Sequence, residues 1–104
     1  MTTAVAVLGS SGSIGTQTLD IVRAAPDRYR VSALGVARSV ETLVEQAREF
    51  RPDIVAVADP DRAASIAEQL PPGTELVAGD AGLAEAAVTG DVCINGVVGF
   101  AGLG

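Results

Sequence analysis

Short apolar runs alternate with stretches of helical spacing along the whole chain. Ala4–Leu8 is an unbroken apolar run, long enough for a strand and too short for a core helix. The spacing then turns helical from Ile14 to about Ala25. Ile14, Thr18 and Val22 stand one turn apart with Leu19 beside them, and Pro26 stops the pattern. Arg30–Val36 reads as a second strand. Val40, Leu43, Val44, Ala47 and Phe50 make one apolar stripe at helical spacing, closed by Pro52. Asp53–Ala58 is a third strand. Asp59-Pro60 starts a third helix, with Asp as N-cap and Pro at the first helical position. It runs to about Leu70, where Pro71-Pro72-Gly73 ends it. Glu75–Ala78 is a short strand, and Asp80 is expected to cap a fourth helix reaching about Val88. Asp91–Val98 is the last strand, and glycines dominate the remaining residues.

Strands that alternate with helices imply βαβ units and a parallel sheet. The pattern therefore predicts an α/β fold: a Rossmann-like, doubly wound parallel sheet in a three-layer α/β/α sandwich, truncated relative to a full double winding. The last strand should lie beside the first, on the far side from the second. The crevice between them opens above the turn after Leu8, with Asn95-Gly96-Val97-Val98-Gly99 as its other wall. The 104 residues fit one domain, 1–104.

Composition narrows the function more than the fold. The chain contains no histidine, which removes the commonest general base and the commonest transition-metal ligand. A Ser-His-Asp triad cannot be assembled from these residues. Net charge is −6, and aromatics are 3% of the residues. The chain therefore offers neither the basic face nor the stacking platform that nucleic acid needs. No run approaches the roughly 18 apolar residues of a membrane span, and the five-residue apolar run after Thr3 is too short for a signal peptide. A single cysteine, Cys93, excludes an internal disulfide and fits a cytoplasmic location. Its position in a strand reads as a small buried hydrophobe.

The candidate chemistry sits between the first strand and the first helix. Val7-Leu8-Gly9-Ser10-Ser11-Gly12-Ser13-Ile14-Gly15 spaces three glycines as Gly-x-x-Gly-x-x-Gly. Strand, glycine turn and helix together make a dinucleotide-site motif; three glycines alone make only a flexible turn. Gly9 lets the chain turn off the strand. Gly12 lets backbone approach a pyrophosphate, and Gly15 lets the helix pack closely. The amides of the first helical turn then face the phosphates, aided by the positive end of the helix dipole. Ser10, Ser11 and Ser13 add hydroxyls to the same turn.

The end of the second strand selects the cofactor. An acid there holds the ribose 2′-hydroxyl of NAD and repels the 2′-phosphate of NADP. No Asp or Glu occurs between Asp27 and Glu41. Ala37-Arg38-Ser39 stands in its place, and Arg and Ser both suit a phosphate. The expected cofactor is NADPH. The bland readings are that Arg38 is a solvated charge and that Ser39 caps the second helix.

The segment Leu8-Gly-Ser-Ser-Gly-Ser-Ile-Gly-Thr-Gln-Thr-Leu-Asp20 resembles the signature of the 1-deoxy-D-xylulose 5-phosphate reductoisomerase family. Pro26-Asp-Arg-Tyr-Arg-Val-Ser-Ala-Leu34, Val44-Glu-Gln-Ala-Arg-Glu-Phe-Arg-Pro52 and Asn95-Gly-Val-Val-Gly-Phe-Ala-Gly-Leu103 are similar too. The resemblance implies an NADPH-dependent oxidoreductase of the non-mevalonate route to isoprenoids. It makes Ser11, Gly12, Ser13 and Ile14 one cofactor segment, to which the glycine motif adds Gly9, and Ala37, Arg38 and Ser39 the other. The family commonly has Thr where this chain has Ser11, and often Gly-Lys-Asn where it has Ala37-Arg38-Ser39. Family members are several times longer. The divalent metal (Mg or Mn), the sugar-phosphate site, the lid and the homodimer belong to segments beyond these. The resemblance thus implies an amino-terminal NADPH-binding part, inactive alone, with no catalytic or metal-binding residue of its own. The alternative is a free-standing dinucleotide-binding sensor module without catalysis.

Overall fold

The computed structural model describes residues 2–95. Five strands and four helices alternate: β1 (Thr3–Leu8), α1 (Ser13–Ala24), β2 (Tyr29–Val36), α2 (Val40–Phe50), β3 (Ile54–Val57), α3 (Pro60–Ile66), β4 (Glu75–Ala78), α4 (Gly79–Ala87) and β5 (Val92–Asn95). All the pairings are parallel, in the order β4-β3-β2-β1-β5. The last strand lies beside the first, as the sequence predicts. The short strand Glu75–Ala78 adds a further pairing at the opposite edge, beside β3.

Continuous apolar runs form the middle of this sheet because both faces are covered. On one face Val5, Val7, Val31, Leu34, Val36, Val55 and Val57 pack with Leu19 and Val22 of α1, the stripe of α2, and Ala63 and Ile66 of α3. On the other face Ala6, Leu8, Ala33, Ile54 and Ala56 pack with Ala86 of α4. The alternation of larger and smaller residues along β1 reflects this. Larger valines meet three helices, whereas alanines let the single α4 come close. The β1–β2 register shifts between Val5 and Ala6, and buried Ser32 takes up the extra residue. Its hydroxyl accepts a hydrogen bond from Thr89 Oγ1 at 3.2 Å.

Several local expectations change in three dimensions. The buried face of α1 is Gly15, Leu19 and Val22, whereas Ile14 is 45% exposed. Close packing of Gly15 on the preceding turn sets the helix rotation and turns Ile14 outward. Asp59 caps α3 as expected, accepting from the amides of Asp61 and Arg62. That helix is shorter than its pattern, however, and ends in a 3₁₀ turn at Ala67–Gln69. Asp80 is not a cap: Ala78 occupies the N-cap position of α4 and Asp80 lies inside its first turn. Gly79, at φ 81°, makes the tight entry directly from β4 and leaves no room for a capping loop. Cys93 lies on β5 but is exposed, because β5 pairs only with β1 among the described residues. Partial desolvation pushes its thiol pKa up, so it stays protonated at neutral pH. The Gly96–Gly99 part of the expected crevice wall lies outside the described residues.

Candidate functional site: the carboxyl edge of the sheet

The glycine turn is built by two neighbours as much as by its own residues. Gly9 has φ 77°, the left-handed region that favours glycine. The amides of Gly9 and Ser10 both donate to Gly35 O of β2, at 2.7 and 3.0 Å. From α2, Gln46 Nε2 donates to Ser10 O at 2.8 Å. Ser10 is fully buried and its hydroxyl lacks a partner among the described residues, so it faces the interior and not a ligand. Gly15 packs directly on this backbone: a Cβ there would meet Gly9 O and stand 2.6 Å from Ser10 Cα. Gly12 differs. Among the described residues a Cβ on it would meet only Gly9 O, at an ordinary 3.4 Å, and the residue is exposed.

Gly12 is the N-cap of α1. No side chain caps the helix, and its first turn contains no acid. Thr16 N is bonded back to Gly12 O at 2.9 Å. Gly12 N is bonded back to Gly9 O at 3.0 Å, and the amides of Ser13, Ile14 and Gly15 remain directed out of the helix beside exposed Ser13 and half-buried Ser11. Among the described residues no side chain caps this end of α1, which suits it to an anion. An orphan turn, an open approach at Gly12 and a positive helix end fit a pyrophosphate.

Register brings the second segment alongside. Leu8 pairs with Gly35 and Val36 with Val57, so the turns after β1, β2 and β3 emerge at one edge. Ala37, Arg38 and Ser39 are all exposed there. Ser39 occupies the N-cap position of α2 but its side chain makes no capping bond. Its hydroxyl is thus not committed to the helix. A cavity of about 470 Å³ is lined by Arg38, Ser39, Val40, Glu41, Thr42 and Arg62. On the opposite face of the sheet a more apolar cavity of about 510 Å³ opens between Leu8, Ala37, Ala58 and the Leu83–Ala87 side of α4.

Two residues at this edge escaped the sequence reading. Asp59 N donates to Ala37 O at 3.2 Å, which ties the end of β3 to the end of β2. The Asp59 carboxylate then stands 3.8 Å from Arg38 Nε and 3.8 Å from Arg62 Nε. The absence of an acid between Asp27 and Glu41 in sequence is therefore not an absence in space. The only available signal was that Asp59 comes directly after the third strand, at the same edge of a parallel sheet.

The model of the 1-deoxy-D-xylulose 5-phosphate reductoisomerase family matches residues 5–104. This chain belongs to that family. The reductoisomerase of Thermosynechococcus vestitus is 52% identical over 93% of the chain, and that of Geobacillus kaustophilus 45% identical over 95%. The chain spans about a quarter of the length of these relatives, 25% and 26%. Among solved structures, the Zymomonas mobilis reductoisomerase in complex with NADPH superposes with a TM-score of 0.78, at 38% identity over 84% of the chain. A reductoisomerase in complex with magnesium gives 0.76, at 37% identity over the same share. The Rossmann-like sheet is thus the family's own. Among the described residues no three His, Cys, Asp or Glu side chains converge as a bound metal would need. Nor is any helix among them long and apolar enough to cross a membrane.

Proposed function

We propose that this chain binds NADPH along the carboxyl edge of its sheet, as the cofactor-holding part of a 1-deoxy-D-xylulose 5-phosphate reductoisomerase. The observation that carries this reading is the amino end of α1, uncapped, free of acid and open above Gly12. Gly9, Gly12 and the amides of Ser13 and Ile14 take the pyrophosphate, with the hydroxyls of Ser11 and Ser13 as further donors. Ala37, Arg38 and Ser39 take the adenosine ribose and its 2′-phosphate. Bound there, the nicotinamide supplies hydride chemistry to a substrate site formed by other parts of the enzyme. The protein bearing these residues converts 1-deoxy-D-xylulose 5-phosphate to 2-C-methyl-D-erythritol 4-phosphate, a step of non-mevalonate isoprenoid synthesis. The role of this part is to hold and orient the cofactor; the sugar phosphate, the divalent metal and the homodimer contacts lie elsewhere.

Gly12→Val tests the site. Gly12 has φ −83° and ψ 177°, which any residue adopts, and its Cβ direction is open, so the variant should fold. The side chain fills the space a pyrophosphate needs. Calorimetric titration should show NADPH binding lost while the circular dichroism spectrum stays that of the parent. Undiminished affinity in a folded variant overturns the site.

A further inference from the structure

The geometry points to Arg62, on α3, as the second half of the 2′-phosphate site and a determinant of NADPH over NADH. The inference rests on the cofactor reading above and deepens it. Arg38 follows β2 and Arg62 lies on α3, yet the Nε atoms of both lie 3.8 Å from one oxygen, Asp59 Oδ2. The two Nε atoms therefore stand no further apart than twice that distance. They line the same cavity beside Ser39 and Thr42. Their side chains are 69% and 46% exposed, and 3.8 Å is a loose ion pair, so neither is locked onto Asp59.

The charge balance gives Arg62 its role. Asp59 and Glu41 both stand at this rim. Arg38 facing these two carboxylates alone would leave the rim net negative and hostile to a phosphate dianion. Arg62 brings the rim to neutrality, and the positive end of α2 tips it toward an anion. Two planar forks around one phosphate also allow bidentate bonding from two sides. Asp59 acts as the resting counter-ion. Its other oxygen, Oδ1, is held by the amides of Asp61 and Arg62 at 3.0 and 3.4 Å, which fixes the carboxylate between the two arginines.

The test measures binding to the full-length protein of NADPH, NADH and 2′,5′-ADP, by calorimetry and nicotinamide fluorescence. Arg62→Ala should weaken NADPH and 2′,5′-ADP about tenfold, the worth of one charged hydrogen bond, and leave NADH unchanged. Arg38→Ala should do the same. Arg62→Lys, which keeps the charge and loses the fork, should fall between parent and Arg62→Ala. Raising the salt should shrink the difference between parent and Arg62→Ala. Circular dichroism checks that each variant folds. If Arg38→Ala discriminates between the cofactors and Arg62→Ala does not, the role of Arg62 is wrong and the cofactor reading stands. If the parent binds NADPH no better than NADH, the inference fails. If the parent binds neither, the cofactor reading fails with it.

Discussion

Gly15 and Gly12 show how one residue type serves two purposes within a single turn. Gly15 is a packing residue, because any side chain would strike the Gly9–Ser10 backbone. Gly12 instead leaves its Cβ direction open: among the described residues a Cβ there would meet Gly9 O in a normal contact. Gly15→Ala therefore sets two effects against each other. Alanine improves helix propensity by up to about 1 kcal/mol. Overpacking against fixed backbone costs about 1–3 kcal/mol, and the backbone here is pinned by two bonds to Gly35 and one from Gln46. The clash wins. Denaturant unfolding should show Gly15→Ala destabilised by about 1 kcal/mol or more. A midpoint equal to or above the parent's would show that the turn can move. Sequence alone placed both glycines in the motif; only the space around each tells them apart.

At the scale of elements, the helices are fixed to the sheet by caps and cross-links as well as by apolar stripes. α1 and α2 are joined by a two-bond ion pair in which Arg23 Nε and Nη2 donate to the Glu49 carboxylate at 2.5 and 2.9 Å. Arg23 holds that carboxyl below its ordinary range. The pair thus favours folding above the usual carboxylate pKa and loses its effect as acidification protonates Glu49. The short α3 depends on its start. Asp59 satisfies two amides there, and Pro60 fixes the first helical φ. Asp59→Ala should lower stability by about 0.5–2 kcal/mol. Thermal unfolding tracked by circular dichroism measures it, and a melting temperature equal to the parent's would remove the cap from the account. The stripes of α2 and the cap of α3 were legible because each is a local pattern. The cap predicted for α4 failed because β4 runs into that helix through Gly79 without a loop, a matter of spacing between elements.

At the scale of the whole molecule, the reading proposed above gives the described residues a cofactor-holding role and assigns them no step on a sugar phosphate. The chain has no histidine. At the carboxyl edge the Asp59 carboxylate stands beside Arg38 and Arg62, and Glu41 is exposed. We expect the 104-residue polypeptide alone, incubated with 1-deoxy-D-xylulose 5-phosphate, NADPH and Mn²⁺, to leave nicotinamide absorbance constant. Sustained loss of absorbance that depends on the sugar phosphate would refute this. A parallel sheet with its binding edge at one end leaves that end free to meet a further domain.

The sequence by itself determined the alternation of strands and helices, the parallel sheet and the place of the glycine turn. These come from short-range periodicity and from glycine, proline and capping residues read in order along the chain. It also singled out Arg38 and Ser39 as candidates to meet a phosphate, because both stand next to a strand end. Tertiary structure decided which side chains meet. It turned Ile14 outward and Ser10 inward through the seat of Gly15. It laid Gln46 across the turn from thirty-six positions away. It set Asp59 and Arg62 beside Arg38, across the β2–β3 register. No period or motif encodes such encounters, because they depend on which strand ends become neighbours when the sheet closes over its two cores.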